Sequence, residues 1–148
     1  MIALANDHAG LPLKEEIKKL LDTMGLTYKD FGSYSTESCD YAIYAQRAAN
    51  AVVSGECDRG IIICGTGIGM SIAANKVKGI RCACCADCYS AKMTRMHNDA
   101  NMLAMGARTT GVDLALMIAQ IFLTTGFEGG RHQRRIDLVS AIERGETL

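Results

Sequence analysis

The stretch Gly60–Lys76, GIIICGTGIGMSIAANK, decides how the chain folds. An apolar run, Ile61-Ile62-Ile63, ends on a thiol at Cys64, glycines follow at 65, 67 and 69, and a helical pattern runs from about Gly69 to Lys76. A short apolar run bounded by glycines reads as a buried strand, here Gly60–Cys64. Strand, glycine turn and helix together form one unit of a parallel α/β sheet.

The same rhythm extends to both sides. Ile2–Ala5 reads as a strand, Leu13, Ile17, Leu20, Leu21 and Met24 fall at helical spacing, and Tyr28–Phe31 reads as a second strand. Pro12 suits the first turn of that helix and Gly25 the position past its end. A helix near Tyr41–Val53 precedes the central unit. After it come a strand at Ile80–Cys85, a helix at Cys88–Met96, a strand at Met102–Met105 and helices at Val112–Thr124 and His132–Arg144. Strands separated by helices predict right-handed crossovers and a three-layer α/β/α Rossmann-like fold with a central parallel sheet of about five strands. Ligands of such sheets bind outside the carboxyl ends of the strands. Here that singles out the loops Asn6–Gly10, Cys64–Gly69, Ala86–Tyr89 and Gly106–Thr109.

With 148 residues, 49% of them hydrophobic, the chain supports one domain, residues 1–148. Sixteen basic and sixteen acidic side chains cancel, so no overall field recruits nucleic acid or an anionic membrane. The start, MIALANDHAG, has no secretory pattern, and the longest apolar run, around Leu114–Leu123, is short of a membrane span. Seven cysteines, odd in number and irregularly spaced, fit reduced thiols and a cytoplasmic location. The Leu114–Leu123 segment is apolar nearly all round, which predicts a subunit interface and a homo-oligomer.

The glycine loop fails two phosphate-binding templates. Met70 and Ser71 stand where a Walker loop needs Lys and Ser/Thr, and the glycine spacing is G-x-G-x-G rather than G-x-G-x-x-G. Its amides can still converge on an anion beside a helix start, where Cys64 is either an available thiolate or a small buried side chain. Arg131 and Arg135 are four apart on one helix face, suited to a phosphate or to water, and Arg134 points elsewhere. His97 lies among Asn98, Asp99 and Asn101, groups that orient a proton-transfer ring or cap a helix. Asp7 and His8 pose the same choice at the first strand's end. Cys85 and Cys88 form C-x-x-C in a cluster with Cys82 and Cys84. That spacing admits a thiol redox site or zinc, but no second knuckle appears and small buried side chains fit as well.

Taken in order, NDHAG (Asn6–Gly10), CGTGIGMSIAANK (Cys64–Lys76), HNDAN (His97–Asn101), GAR (Gly106–Arg108) and EGGRHQRR (Glu128–Arg135) resemble the type B ribose-5-phosphate isomerase family, which includes the subunits of galactose-6-phosphate isomerase. The resemblance implies a Rossmann-like fold and a homodimer, with a dimer of dimers left open, whose sites lie between subunits. It implies interconversion of D-ribose 5-phosphate and D-ribulose 5-phosphate through a cis-enediolate in the pentose phosphate pathway, with no metal and no cofactor. It makes Cys64 the base, with Gly65, Gly67 and Gly69 in the loop that holds the enediolate. His97, helped by Thr66, would open the sugar ring, and Asn98 would steady substrate oxygens. Asp7 and Tyr41 would contact the sugar, while His8, Arg108, Arg131 and Arg135 would hold the phosphate, some of them from the neighbouring subunit. The Cys82–Cys88 cluster lies outside that pattern. A six-carbon substrate, a redox protein using Cys85 and Cys88, and a noncatalytic phosphosugar binder remain the alternatives.

Overall fold

The computed structural model describes all of residues 1–148. Five strands, β1 (Ile2–Asn6), β2 (Tyr28–Asp30), β3 (Arg59–Cys64), β4 (Cys82–Cys84) and β5 (Met102–Gly106), form one sheet in the order β2-β1-β3-β5-β4. Every neighbouring pair is parallel. The helices are α1 (Leu11–Thr23), α2 (Tyr41–Val53), α3 (Ile68–Ala74), α4 (Cys88–Asn98), α5 (Val112–Thr124) and α6 (Arg131–Glu143).

Apart from Asn6 and Arg59 at strand ends, the central strands β1, β3 and β5 carry no polar side chain, because both faces of the sheet are covered. Alternate residues go to opposite sides. Ile2, Leu4, Ile61, Ile63, Leu103 and Met105 pack with α1, α4 and α5, whereas Ala3, Ala5, Ile62, Cys64, Met102 and Ala104 pack with α2 and α3. The second face is alanine-rich, Ala45, Ala48, Ala49 and Ala51 of α2 being buried there. Crossovers β2-to-β3 and β3-to-β4 advance one way along the sheet and carry their helices on this face. Crossovers β1-to-β2 and β4-to-β5 go the other way with α1 and α4 on the opposite face. A single crossover handedness requires that arrangement.

The helix ends follow the local signals. Pro12 lies in the first turn of α1, and Gly25 adopts φ +67 just after it, so that Leu26 N–H reaches back to the Leu21 carbonyl at 2.9 Å. Lys14 was hidden among the polar positions of α1, yet it is wholly buried. Its Nζ donates to Asp30 Oδ1 and to the Ser33 carbonyl, both at 2.9 Å, and Lys18 Nζ stands 2.7 Å from Asp30 Oδ2. Helix α5 buries Ala115, Ile118, Ala119 and Phe122 but leaves Val112, Leu114 and Met117 exposed, so the sequence read as apolar all round presents one face outward. No helix is long and apolar enough to cross a membrane.

Candidate active site

Strands β1 and β3 are neighbours whose following helices leave toward opposite faces, which opens a crevice at their carboxyl ends. Cys64 closes β3 there, 5% exposed, and its Sγ accepts the Gly67 N–H at 3.1 Å. Gly67 holds φ +79, and a Cβ there would come within 2.9 Å of both Cys84 Sγ and the Met105 backbone, so only glycine turns the chain tightly enough to aim that amide back at the sulfur. Thr66 is exposed, and its Oγ1 accepts the Ile68 N–H at 3.3 Å.

Several side chains converge on this loop. The Tyr41 ring, at the start of α2, lies so close to Gly69 that a Cβ there would sit 2.8 Å from its Cζ. The Arg108 guanidinium flanks Gly65, with Nη1 at 3.7 Å from the position a Cβ would take, and the Arg108 N–H donates to the Gly65 carbonyl at 2.9 Å. Asp7 donates its N–H to the Ile63 carbonyl at 3.0 Å, while its Oδ1 accepts from Ala9 and Gly10 and so ties down the turn into α1. His8 Nδ1 accepts the Cys39 N–H at 3.4 Å.

The remaining candidates lie elsewhere in the chain. Helix α4 starts after the carboxyl end of β4 and runs back, so His97 and Asn98 at its far end lie by the amino ends of the strands. The Asn98 carbonyl accepts from Arg81, the residue before β4, at 3.0 Å. Eleven helical residues at 1.5 Å each carry the chain roughly 16 Å, the depth of the sheet. One chain therefore does not bring His97 to Cys64 or Thr66. His97 and Asn98 instead line a groove of about 980 Å³ between α4, α6 and the β4 edge, together with His132 and Arg135. Arg131 opens α6, exposed like Arg135 and on the same face.

The His97 and His132 rings stack with centroids 4.2 Å apart and planes at 10°. Glu128 Oε2 stands 3.3 Å from His132 Nε2 and 3.8 Å from His97 Nε2. Burial, then the neighbouring His97 and Arg131, hold the His132 imidazole below its ordinary value. Sequence reading missed Glu128 and His132 as a pair, although their spacing of four was visible. It also missed Cys39, which touches His8 and which nothing in the pattern marked out, and it placed Cys84 only in the cysteine cluster, whereas its Sγ lies 3.7 Å from the Thr66 carbonyl.

The redox alternative fares poorly. Burial, then Cys84 and Asp87, pushes the Cys85 thiol up to about 11, the reverse of what a reactive C-x-x-C needs.

Residues 2–139 match the family model described as Ribose/Galactose Isomerase. The chain belongs to the ribose/galactose isomerase family. Among its relatives, the ribose-5-phosphate isomerase B of Escherichia coli is 50% identical over 97% of this chain and 96% of its own. The ribose-5-phosphate isomerase B structure of Clostridium thermocellum superposes with a TM-score of 0.96 at 51% identity, covering 99% of both chains. A D-erythrulose-4-phosphate isomerase of Pectobacterium atrosepticum is 42% identical over 98% of this chain and 96% of its own. Fold and family thus agree with the resemblance, and the chain is a sugar-phosphate isomerase.

Proposed function

We propose that this isomerase interconverts D-ribose 5-phosphate and D-ribulose 5-phosphate in the pentose phosphate pathway, in the cytoplasm, with Cys64 as the base and no metal in the chemistry. The observation that carries the reading is the Gly67 N–H donating to Cys64 Sγ at 3.1 Å beside a loop whose glycines expose further amides. A donor aimed at sulfur stabilises negative charge on it.

The thiolate takes the proton from C2 of the open-chain aldose, and the electron pair moves into C1–C2 as the C1 carbonyl oxygen becomes an enediolate oxygen. The loop amides hold that charge, which is greater in the transition state than in the bound sugar. The Cys64 thiol returns the proton to C1 while the O2 hydroxyl proton passes to O1, so that C2 becomes the carbonyl and O1 the hydroxyl of the ketose, and the thiolate is regenerated. Asp7 and Tyr41 contact the sugar, and His8 and Arg108 lie on the same side.

Ring opening needs an acid that a single chain does not supply at Cys64. We infer that a second copy brings its His97 and Asn98 to the crevice, beside Thr66, and its Arg131 and Arg135 to the phosphate, so that the working unit is a homodimer, able to pair further into a tetramer. The support is the separation of the two groups across the sheet, together with the exposed Val112, Leu114 and Met117 of α5 and Leu138, Val139 and Ile142 of α6, an apolar surface that a second copy would cover.

The test is a panel of four-, five- and six-carbon aldose phosphates and free aldoses, assayed for ketose in deuterated water with EDTA present. Ribose 5-phosphate is expected to turn over fastest and to exchange its C2 proton. Binding without exchange, or dependence on added metal, would sink the reading, and a faster tetrose or hexose phosphate would move the substrate.

A further inference from the structure

His132 is 4% exposed, and its Nε2 is buried with no hydrogen-bond partner; the nearby Glu128 carboxylate, at 3.3 Å, is out of line for one. An imidazole nitrogen left in that state asks for a ligand. We infer that His97, Glu128 and His132 form a binding site for a divalent ion of the zinc class, and that occupation of this site shuts the isomerase off.

Three segments supply the ligands: the end of α4, the loop before α6 and the first turn of α6. Their donor atoms all lie within 4.8 Å of one another. Zinc bonds of about 2.0–2.2 Å in tetrahedral geometry place ligand atoms roughly 3.3–3.6 Å apart. His132–Glu128 already meets that separation at 3.3 Å and His97–Glu128 approaches it at 3.8 Å. Closing the remaining gap asks only for a turn of the His97 ring, which opens the stack. The frame behind the site is fixed, since the Glu128 N–H donates to the Met96 carbonyl at 3.1 Å and pins the loop to α4.

Two imidazoles and one carboxylate select zinc, cobalt or nickel over magnesium or calcium, which want oxygen donors. Both histidines line the groove, so a fourth position is open to water. The ion would occupy the face of His97 that the proposed ring opening uses and would stand beside Arg135. This inhibitory consequence rests on the isomerase reading; ion binding does not.

The experiment titrates the full-length, EDTA-stripped protein with Co²⁺ and follows visible absorption. A d–d band saturating at one ion per chain, displaced by Zn²⁺ and without thiolate charge transfer, is expected. Glu128→Gln and His132→Phe, the latter keeping the buried stacked ring, each weaken binding at least about tenfold, the scale on which even outer-sphere partners of a metal act. Glu143→Gln, a carboxylate lining the same groove, leaves it unchanged. Absence of a saturable band, a band abolished by Cys64→Ser, or one indifferent to Glu128→Gln overturns the site. Zn²⁺ is expected to abolish turnover and EDTA to restore it; zinc bound with turnover intact overturns the inhibitory role. A protein that binds Co²⁺ but isomerises no sugar would instead condemn the isomerase reading and leave the site standing.

Discussion

The loop after β3 and the cluster between α4 and α6 are made of different materials. The first is mostly backbone: glycine amides around a single thiol, in a turn held so tightly that a Cβ at Gly67 would strike Met105. The second is side chain: two stacked imidazoles, a carboxylate and a pair of arginines around an open groove. A backbone site is preorganised by the sheet beneath it and suits a charge that develops late. A side-chain site at helix ends adapts to what enters it, which suits proton delivery and phosphate capture. The difference teaches that the sheet's depth separates the two materials within one chain, so that on the proposed mechanism each half needs the other from a second copy.

The sharpest way to break the comparison is at the sulfur. Cys64→Ser is expected to cut kcat about 10²–10⁴-fold, the range for loss of a positioned base, with the circular dichroism unchanged. Steady-state ketose formation measures it, and a drop confined to KM would mean that the loop only binds.

A second test addresses what holds the backbone half in place. Lys14 is wholly buried against Asp30 and the Ser33 carbonyl at the carboxyl ends of β1 and β2, so Asp30→Asn leaves an ammonium without its counter-charge. Removing one partner of a buried pair costs about 3–5 kcal/mol, to be read from urea unfolding. Against the cost of burial, hydrogen bonds from Lys18 and Lys14 hold the Asp30 carboxyl below its ordinary value. Its contribution is therefore present above the ordinary carboxylate range and is lost as pH falls through the lowered folded value. The variant should show less acid sensitivity than the parent protein.

The side-chain half predicts a smaller, different response. Arg135→Ala should lower kcat/KM roughly 10–100-fold through KM with kcat nearly kept, as loss of a charge-assisted phosphate contact does. An equal fall in kcat would place Arg135 in the chemistry.

The strand-helix rhythm was legible because buried parallel strands are apolar runs and each was punctuated by glycine or proline. Ile61–Ile63 and Leu103–Met105 illustrate it, with β4 (Cys82–Cys84) and, by one residue, β2 (Tyr28–Asp30) shorter than the sequence suggested. The loop around Cys64 was legible for the same reason, since its glycines serve local geometry. The Glu128–His132–His97 cluster was not, because its members come from separate segments and only tertiary packing stacks the rings. Lys14 was missed because a lysine on a helix is ordinarily solvated, and nothing local announces Asp30 beneath it. The separation of Cys64 from His97 is a property of topology that motif order does not express.

Mixing two inactive variants tests the central claim most directly. Cys64→Ser and His97→Asn chains, unfolded and refolded together in equal amounts, form mixed dimers in which one site carries both changes and the other carries neither. If each site draws Cys64 from one copy and His97 from the other, random pairing returns about a quarter of the parent activity, since half of the dimers are mixed and each has one intact site. Activity no higher than the sum of the two variants alone would mean that both residues serve from one chain, which contradicts a site shared between subunits.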